Sequence, residues 1–512
     1  MSDSLPFLLV LLLVPLVGSV VVWLLPRTAE QLAKLVALAT SLLTVVVMAA
    51  TATAFDPNGA RFQLTWSRPW IASFGVDFAL GVDGIALVLI ALVAVLVPSV
   101  ILASWHEETP AGRSPKTFFA LLLLLEVFMV GVFAVTDVFV FYVFFEAMLV
   151  PMYFLIGAFG GPRRQYAAMK FFLYSLLGGL LMLAAVIGLY VVSASQLGHG
   201  TFAFSQLVGM PIDADTEKLL FLGFFVAFAI KAPLVPFHTW LPDAGAEAPA
   251  GGAALLVGVL DKVGTFGFLR YCLPLFPNAS RYFAPAVIVL AVVGVLYAAL
   301  LAMGQRDMKR LVAYTSVAHF GFIGLGIFAF TTQSMSGSVF YMINHGLATG
   351  ALFLVAGMLI SRGRSREISD YGGVAKTQPL LGGAFLLAGL ASLALPGMST
   401  FISEFLVLVG TFSRHRVYGV VATVGIILAA LYILLMYQRM FHGPAQERAA
   451  GWLDMSAREA WAVAPLLALI VVLGVYPKPV LDVIRPAVNA TMNDVHQRDP
   501  APTVAVQTGA TK

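Results

Sequence analysis

An α-helix needs about 20 consecutive, mostly apolar residues to cross the hydrocarbon core of a bilayer, and this 512-residue chain supplies such a run about fourteen times. The windows fall near 5–25, 31–54, 84–104, 117–135, 138–159, 168–193, 218–240, 250–272, 283–303, 309–331, 337–360, 379–412, 415–440 and 460–483. No interval between them exceeds about 30 residues, which leaves no room for a soluble domain. The opening run carries an acidic residue where a signal peptide needs a basic one and is too long for its apolar core, so it reads as the first span. Because lipid offers backbone groups no hydrogen-bond partners, the pattern predicts an all-α, multi-pass membrane protein.

Composition narrows what such a body can do. Only 11% of residues are charged, against about 25% in soluble domains, and mean hydropathy is +0.93. The basic side chains are dispersed, which argues against nucleic acid as a partner and leaves the lipid bilayer. A lone cysteine, Cys272, excludes intrachain disulfides, CxxC metal pairs and four-thiolate iron–sulfur clusters. Neither a redox centre nor a cofactor is therefore expected in this chain. Counting those at span ends with the adjoining connection, Lys and Arg number 17 in the odd-numbered connections and 7 in the even ones. By the positive-inside rule the odd connections are cytoplasmic and both termini face outward.

Two spans are interrupted, the seventh by Pro233 and Pro236 and the twelfth by Pro396 and Gly397 in "LALPGMSTFISEF". Proline removes a helix hydrogen bond and clashes with the preceding turn, so each break must be covered by protein or line a wet cavity. The breaks lie five spans apart. A repeat unit of five helices is necessarily inverted in the membrane, so spans 4–8 (117–272) and 9–13 (283–440) are expected to be inverted copies. They would be flanked by spans 1–3 (1–116) and by a last span with its tail (460–512). Interrupted helices at matching positions in two halves point to a transport site.

Six ionisable residues fall well inside spans: Glu146, Lys231, Lys262, His319, His345 and Glu404. A charge at a helix centre costs about 2.5–3.5 kcal/mol on insertion scales. Glu146 and Lys231 can be read as a structural ion pair, but a buried pair is weak evidence for stability; a lysine whose charge is controlled by a movable carboxylate is the functional alternative. Lys262 could snorkel, although it lies near mid-span. Its only local partner, Asp261, points about 100° away on a helix. His319 and His345 are either satisfied core residues or a relay that titrates near neutral pH; metal binding is disfavoured because neither has a third ligand at helical spacing. Glu404 follows the second break as Lys231 precedes the first, with capping of the half-helix as its alternative role. Glu126 and His238 are weaker candidates. In span order the six form a possible lateral proton line through spans 5, 7, 8, 10, 11 and 12.

The motifs "FYVFFEAMLVPMYFLIG", "KAPLVPFHTWLPDAGAEAP", "LDKVGTFGFLRY" and "PGMSTFISEF" resemble those of the antiporter-like membrane subunits of respiratory complex I (NADH:quinone oxidoreductase), in particular the M-type branch, over nearly all fourteen spans. The resemblance implies a proton-translocating chain driven by electron transfer elsewhere. NADH, flavin, iron–sulfur clusters and quinone would then bind other subunits, with L-type and N-type chains as flanking partners in a bacterial plasma membrane. Glu146 would modulate Lys231, Lys262 would connect, His319 and His345 would form the central relay, and Glu404 would be the terminal site. Glutamate there, where L- and N-type relatives typically carry lysine, and the short stretch after span 14 favour the M-type. Asp261 departs from the many relatives that have an apolar residue before the lysine. Two other functions share these motifs: a subunit of a multisubunit cation/proton antiporter, and a chain of a membrane-bound hydrogenase-type complex.

Overall fold

The computed structural model describes residues 6–501 apart from 108, 447, 448 and 450. The chain ends expected to face outward, 1–5 and 502–512, lie outside the described residues. The first elements are α1 (Phe7–Leu24), α2 (Glu30–Ala54), β1 (Gln63–Ile71), β2 (Val76–Val82), α3 (Gly84–Ala103) and α4 (Pro115–Ala134). Next come α5 (Val138–Ala147), α6 (Leu149–Phe159), α7 (Arg164–Leu197), the single turn α8 (Phe204–Leu207), α9 (Ala214–Lys231) and α10 (Trp240–Glu247). The central rod holds α11 (Ala250–Leu255), α12 (Lys262–Gly267) and α13 (Leu273–Leu275). The second half has α14 (Pro277–Met303), α15 (Met308–Phe328), α16 (Thr332–Gly363), α17 (Val374–Thr377), α18 (Pro379–Ser392), α19 (Ser399–Arg414), α20 (Arg416–Phe441), α21 (Ala457–Val475) and α22 (Lys478–Asp494).

Among the described residues, 12 helical stretches are long and apolar enough to cross a membrane. The protein is a multi-pass helical membrane protein. The windows at 218–240 and 379–412 are absent from those 12: α9 ends at Lys231 and carries four charged residues, Asp215, Glu217, Lys218 and Lys231, and the second window is divided between the shorter helices α18 and α19. Burial sorts the spans into an inner and an outer set. The rod at 250–275, α15 and α16 are almost wholly covered, whereas α1, α2, α7 and α20 expose leucine and valine on their outer faces. Apolar exposure of that kind fits contact with lipid. At the centre, α16 packs against α3, α11, α15, α18, α19, α21 and α22.

The structure departs from the sequence reading in four places. The segment between the second and third windows folds into an antiparallel hairpin, β1 with β2, turned at Gly75 with φ +64°, a conformation glycine adopts without a Cβ penalty. The window at 138–159 is interrupted at Met148. The last window, 460–483, ends early: α21 stops at Val475, Tyr476 and Pro477 intervene, and α22 starts at Lys478. Finally, 250–275 is no regular α-helix, since 256–260 and 268–272 are wide π-helical turns.

One of those wide turns carries a buried charge. Arg270 lies in the second one, 3% exposed, and its guanidinium sits 2.7 Å from Asp83. Asp83 in turn caps α3 by accepting from the Ala86 amide at 2.9 Å, the usual service of aspartate at this position.

Candidate functional site

Where each helix breaks, the backbone accounting explains the local geometry. Pro233 has no N–H to offer the Ala229 carbonyl, so Leu234 reaches back to it at 3.0 Å. That leaves the Ile230 carbonyl without its ordinary partner, and the Trp240 indole N–H bonds to it at 2.9 Å. Buried carbonyls are paired in this way throughout folded proteins. The chain thus turns sharply after Lys231 while its two half-helices stay stapled together. At the second break, Leu395 donates to Leu390 at 3.0 Å. Asn344 of α16 donates to the Ser399 carbonyl at 3.0 Å and to the Ser403 hydroxyl at 3.1 Å, holding the start of α19. Pro396 likewise cannot serve the Ser392 carbonyl, and His319 faces that carbonyl from α15.

The structure brings the six candidates into one sequence of neighbours. Glu146, near the end of α5, packs so tightly on Gly179 of α7 that a Cβ there would lie 1.8 Å from its Oε1. Lys231 closes α9 and is 1% exposed. Its ammonium lies over the Phe145 and Phe171 rings, 4.8 and 5.8 Å from their centroids, which partly replaces lost hydration by attraction to the ring faces. The charges that act on it are Glu146 and Asp261. Lys262 follows on the rod, fully buried, with its Nζ 2.6 Å from His345 Nδ1 and bonded to the Val257 carbonyl in the first wide turn. His345 and His319 meet edge to face at 5.1 Å between ring centroids. On its far side His319 Nε2 lies 3.5 Å from the Tyr432 hydroxyl and its ring 5.7 Å from that of Tyr341. Glu404 interacts electrostatically with both tyrosines.

Many polar atoms along this sequence have no protein partner: Lys231 Nζ, Glu146 Oε1, both Asp261 oxygens, His319 Nδ1, His345 Nε2 and the Tyr341 hydroxyl. Buried polar atoms are nearly always satisfied, so a concentration of them along one line marks a path with hydrogen-bonding capacity to spare. Such groups can pass a proton by hydrogen-bond exchange.

Two candidates fall elsewhere. Glu126, on α4, faces α2 and is treated below. His238 lies between the two halves of the first broken helix, its ring 5.5 Å from that of Tyr297, and has no contact with the line. Glu404 is the sixth residue of α19 and does not cap it, so the capping role is set aside. Conversely, two residues on the line, Tyr341 and Tyr432, are not read from the sequence. Asp261, which regular helical spacing turns away from Lys262, acts electrostatically on both Lys231 and Lys262. Tyr341 stands four residues before His345 on one helix face, a signal that could have found it. Tyr432 has no such signal.

A second polar layer fastens the 240–250 segment at the end of the bundle that holds the odd-numbered connections. Asp243 accepts from Lys170 at 2.7 Å and from Arg310 at 2.6 Å. Glu247 pairs with Arg366 at 3.1 Å and accepts the Arg163 amide at 2.9 Å. Glu107 accepts the Ala250 amide at 3.2 Å, and Lys309 donates to the Ala248 carbonyl. These bonds hold α10 to connections from both halves. Among the described residues, no group of three or more His, Cys, Asp or Glu side chains is placed to hold a metal ion.

Comparison with known proteins gives the same picture from outside. A family model described as "NADH:quinone oxidoreductase/Mrp antiporter, TM" matches residues 135–429. A "NADH-quinone oxidoreductase subunit M" from Mycobacterium tuberculosis is 50% identical, over 98% of this chain and 97% of its own. A chain of respiratory complex I from Thermus thermophilus with bound NADH superposes with a TM-score of 0.86 at 32% identity, covering 95% of this chain and 99% of that one. A chain of the Mrp complex from Dietzia sp. shares the fold, with a TM-score of 0.81 at 21% identity over 95% of this chain and 99% of that one.

Proposed function

Because the chain belongs to the M-subunit family of NADH:quinone oxidoreductase, the antiporter-like membrane subunits, we propose that the line from Glu146 to Glu404 is the route by which it moves protons. It is a membrane-arm, proton-translocating subunit of an enzyme complex whose redox chemistry belongs to other chains. In this reading the 12 long helical stretches and the two spans broken at Pro233 and Pro396 make fourteen. Spans 4–8 (117–272) and 9–13 (283–440) form inverted units, flanked by 1–116 and 460–512. L-type and N-type chains adjoin it in a bacterial plasma membrane, with both termini outward.

The observation that carries the proposal is the contact between Lys262 and His345 at 2.6 Å. It joins a cation of the first unit to an imidazole of the second, which is where a lateral route must cross. Glu146, in reach of Lys231, stabilises the charged lysine when near and releases its proton when withdrawn. Lys262 hands the proton to His345, and His319 passes it towards Tyr341, Tyr432 and Glu404. At the second break the Ser392 carbonyl, which Pro396 cannot serve, faces His319.

Inverted membrane vesicles test this by measuring NADH oxidation and proton uptake together. Lys262→Ala and His345→Ala are expected to lower the protons moved per NADH oxidised while the complex stays assembled. Proton uptake at the wild-type ratio in Lys262→Ala would refute the route. The shared fold of the Mrp chain favours one alternative, a cation/proton antiporter subunit. That reading requires Na⁺ sensitivity to change in Lys231→Ala with NADH oxidation unaffected.

A further inference from the structure

Glu126 is fully buried on α4, and neither carboxyl oxygen makes a hydrogen bond of good geometry. The one side chain that faces it is Thr44 of α2. Thr44 has already committed its own proton, donating it to the Thr40 carbonyl at 3.2 Å. A hydroxyl in that state offers only a lone pair. A carboxylate facing a lone pair gains nothing, whereas a carboxylic acid can donate to it. No cation compensates the group either. The elements packed on α4 are α1, α2, α3, α5, α6, α12 and β2, and their titratable residues are Glu30 and Lys34 on α2, Tyr142 and Glu146 on α5, Tyr153 on α6, Lys262 on α12 and Asp77 on β2. None of these acts on Glu126. An unpaired carboxylate in hydrocarbon is among the costliest arrangements a membrane helix can hold.

The opposing face of α2 leads away from this acid. Lys34, Ser41, Thr44 and Thr51 are its buried polar residues, spaced by seven, three and seven positions and therefore stacked on one side of the helix. At one end, Lys34 joins Ser104 and Glu107 around a small, partly open cavity of about 10 Å³, which is close to the space one water needs. From Lys34 to Ser41 is roughly 10 Å along the helix axis, and to Thr44 roughly 15 Å. Phe128 of α4 and Phe144 of α5 pack edge to face at 6.1 Å.

We propose that Glu126 is a second proton-binding site of this chain, separate from the central line: a carboxylic acid that donates to Thr44 and exchanges its proton with the Lys34 cavity along the hydroxyl face of α2. Exchange requires Thr44 to rotate its hydroxyl away from Thr40, accept the acid proton and release its own towards Ser41. Ser41 likewise turns its hydroxyl from the Leu38 carbonyl, and water entering along the remaining ~10 Å of the helix carries the proton to the Lys34 cavity; Glu126 is recharged by the reverse steps.

Infrared difference spectra of the intact complex in bilayers, recorded in H₂O and then in D₂O, test the proposal. A carbonyl band of a protonated acid is expected in the wild type and absent from Glu126→Gln. Thr44→Val should move the band to higher wavenumber because the acid loses its acceptor, and Thr44→Ser should leave it in place. Ser41→Ala should slow its deuterium shift severalfold. Loss of a carboxylate band in Glu126→Gln instead, or no change in either band, would overturn the assignment. Wild-type exchange rates in Ser41→Ala would overturn the route. Should Glu126→Gln fail to assemble, Thr44→Val still reads the native acid directly.

Discussion

Gly179→Ala displaces Glu146 without altering a charge. The added Cβ would sit 1.8 Å from Oε1 and 2.4 Å from Cδ, whereas ordinary contact begins near 3.4 Å, so the carboxyl must retreat by about 1.6 Å. Opposite charges attract by about 332/(εr) kcal/mol, which at an effective ε of ~20 and a separation of ~5 Å, beyond direct ion-pair contact, is roughly 3.3 kcal/mol. Increasing that separation to ~6.6 Å lowers it to roughly 2.5 kcal/mol. The difference of about 0.8 kcal/mol shifts the charged-to-neutral ratio of Lys231 about fourfold. Proton uptake per NADH oxidised in inverted vesicles is therefore expected to fall by a comparable factor. Glu146→Asp in the same chain withdraws the carboxyl by one carbon–carbon bond, about 1.5 Å, which nearly matches the required retreat. The double variant should accordingly lose little more than Gly179→Ala alone, because the shortened side chain already stands back by that distance. Gly383→Ala, where a Cβ meets nothing within 4 Å, is the neutral control. Wild-type pumping in Gly179→Ala, or a double variant far worse than Gly179→Ala, would show that the position of Glu146 does not set the state of Lys231.

Three further outcomes are expected. Asp83→Asn keeps the helix cap but strands the buried Arg270 guanidinium; breaking such a pair costs about 3 kcal/mol or more. Labelling of buried Cys272, two residues from Arg270, should then quicken by about two orders of magnitude, measured by peptide mass spectrometry. Asp137, which caps α5 from the connection before it, is pushed from 3.8 to about 6 by burial, which outweighs its backbone hydrogen bonds. A folded value above the unfolded one means its contribution is fully present below pH 3.8 and is lost as pH rises through about 6. Asp137→Asn should thus flatten that window and slow amide exchange at Phe139 and Val140 above pH 6; unchanged exchange would refute it. Trp240→Phe removes the donor to the Ile230 carbonyl and should destabilise the break by about 1–3 kcal/mol, seen as faster amide exchange at Leu234.

How much of this was legible before the structure depends on what local chemistry announces. Pro233 and Pro396 declare their breaks wherever they stand, because a missing N–H is a property of the residue itself. Glu146, Lys231, Lys262, His319, His345 and Glu404 were visible because charge in an apolar run has no cheap explanation. Tyr341 and Tyr432 were not, since a tyrosine in a membrane helix is unremarkable until its neighbours are known. The wide turns at 256–260 and 268–272 contain no proline, and Gly258 by itself does not announce a π-helical turn. The pairing of Asp83 with Arg270 spans most of the first half of the chain, and no local pattern encodes it. Tyr476 and Pro477 did mark the end of α21, but the apolar residues beyond them masked the start of a helix with one polar face.

The close approach of α22 to the start of α3 has a consequence for how the chain is made. A Cβ at Gly84 would lie 1.9 Å from the Val483 carbonyl, and Arg61 pairs with Asp494 at 2.7 Å. The docking site for the last helix is thus laid down within the first hundred residues and waits through the synthesis of nearly four hundred more. Until α22 has been made, that berth stands open to any other passing segment, and the helix that finally closes it does so as a clasp between stretches of chain separated by about four hundred residues.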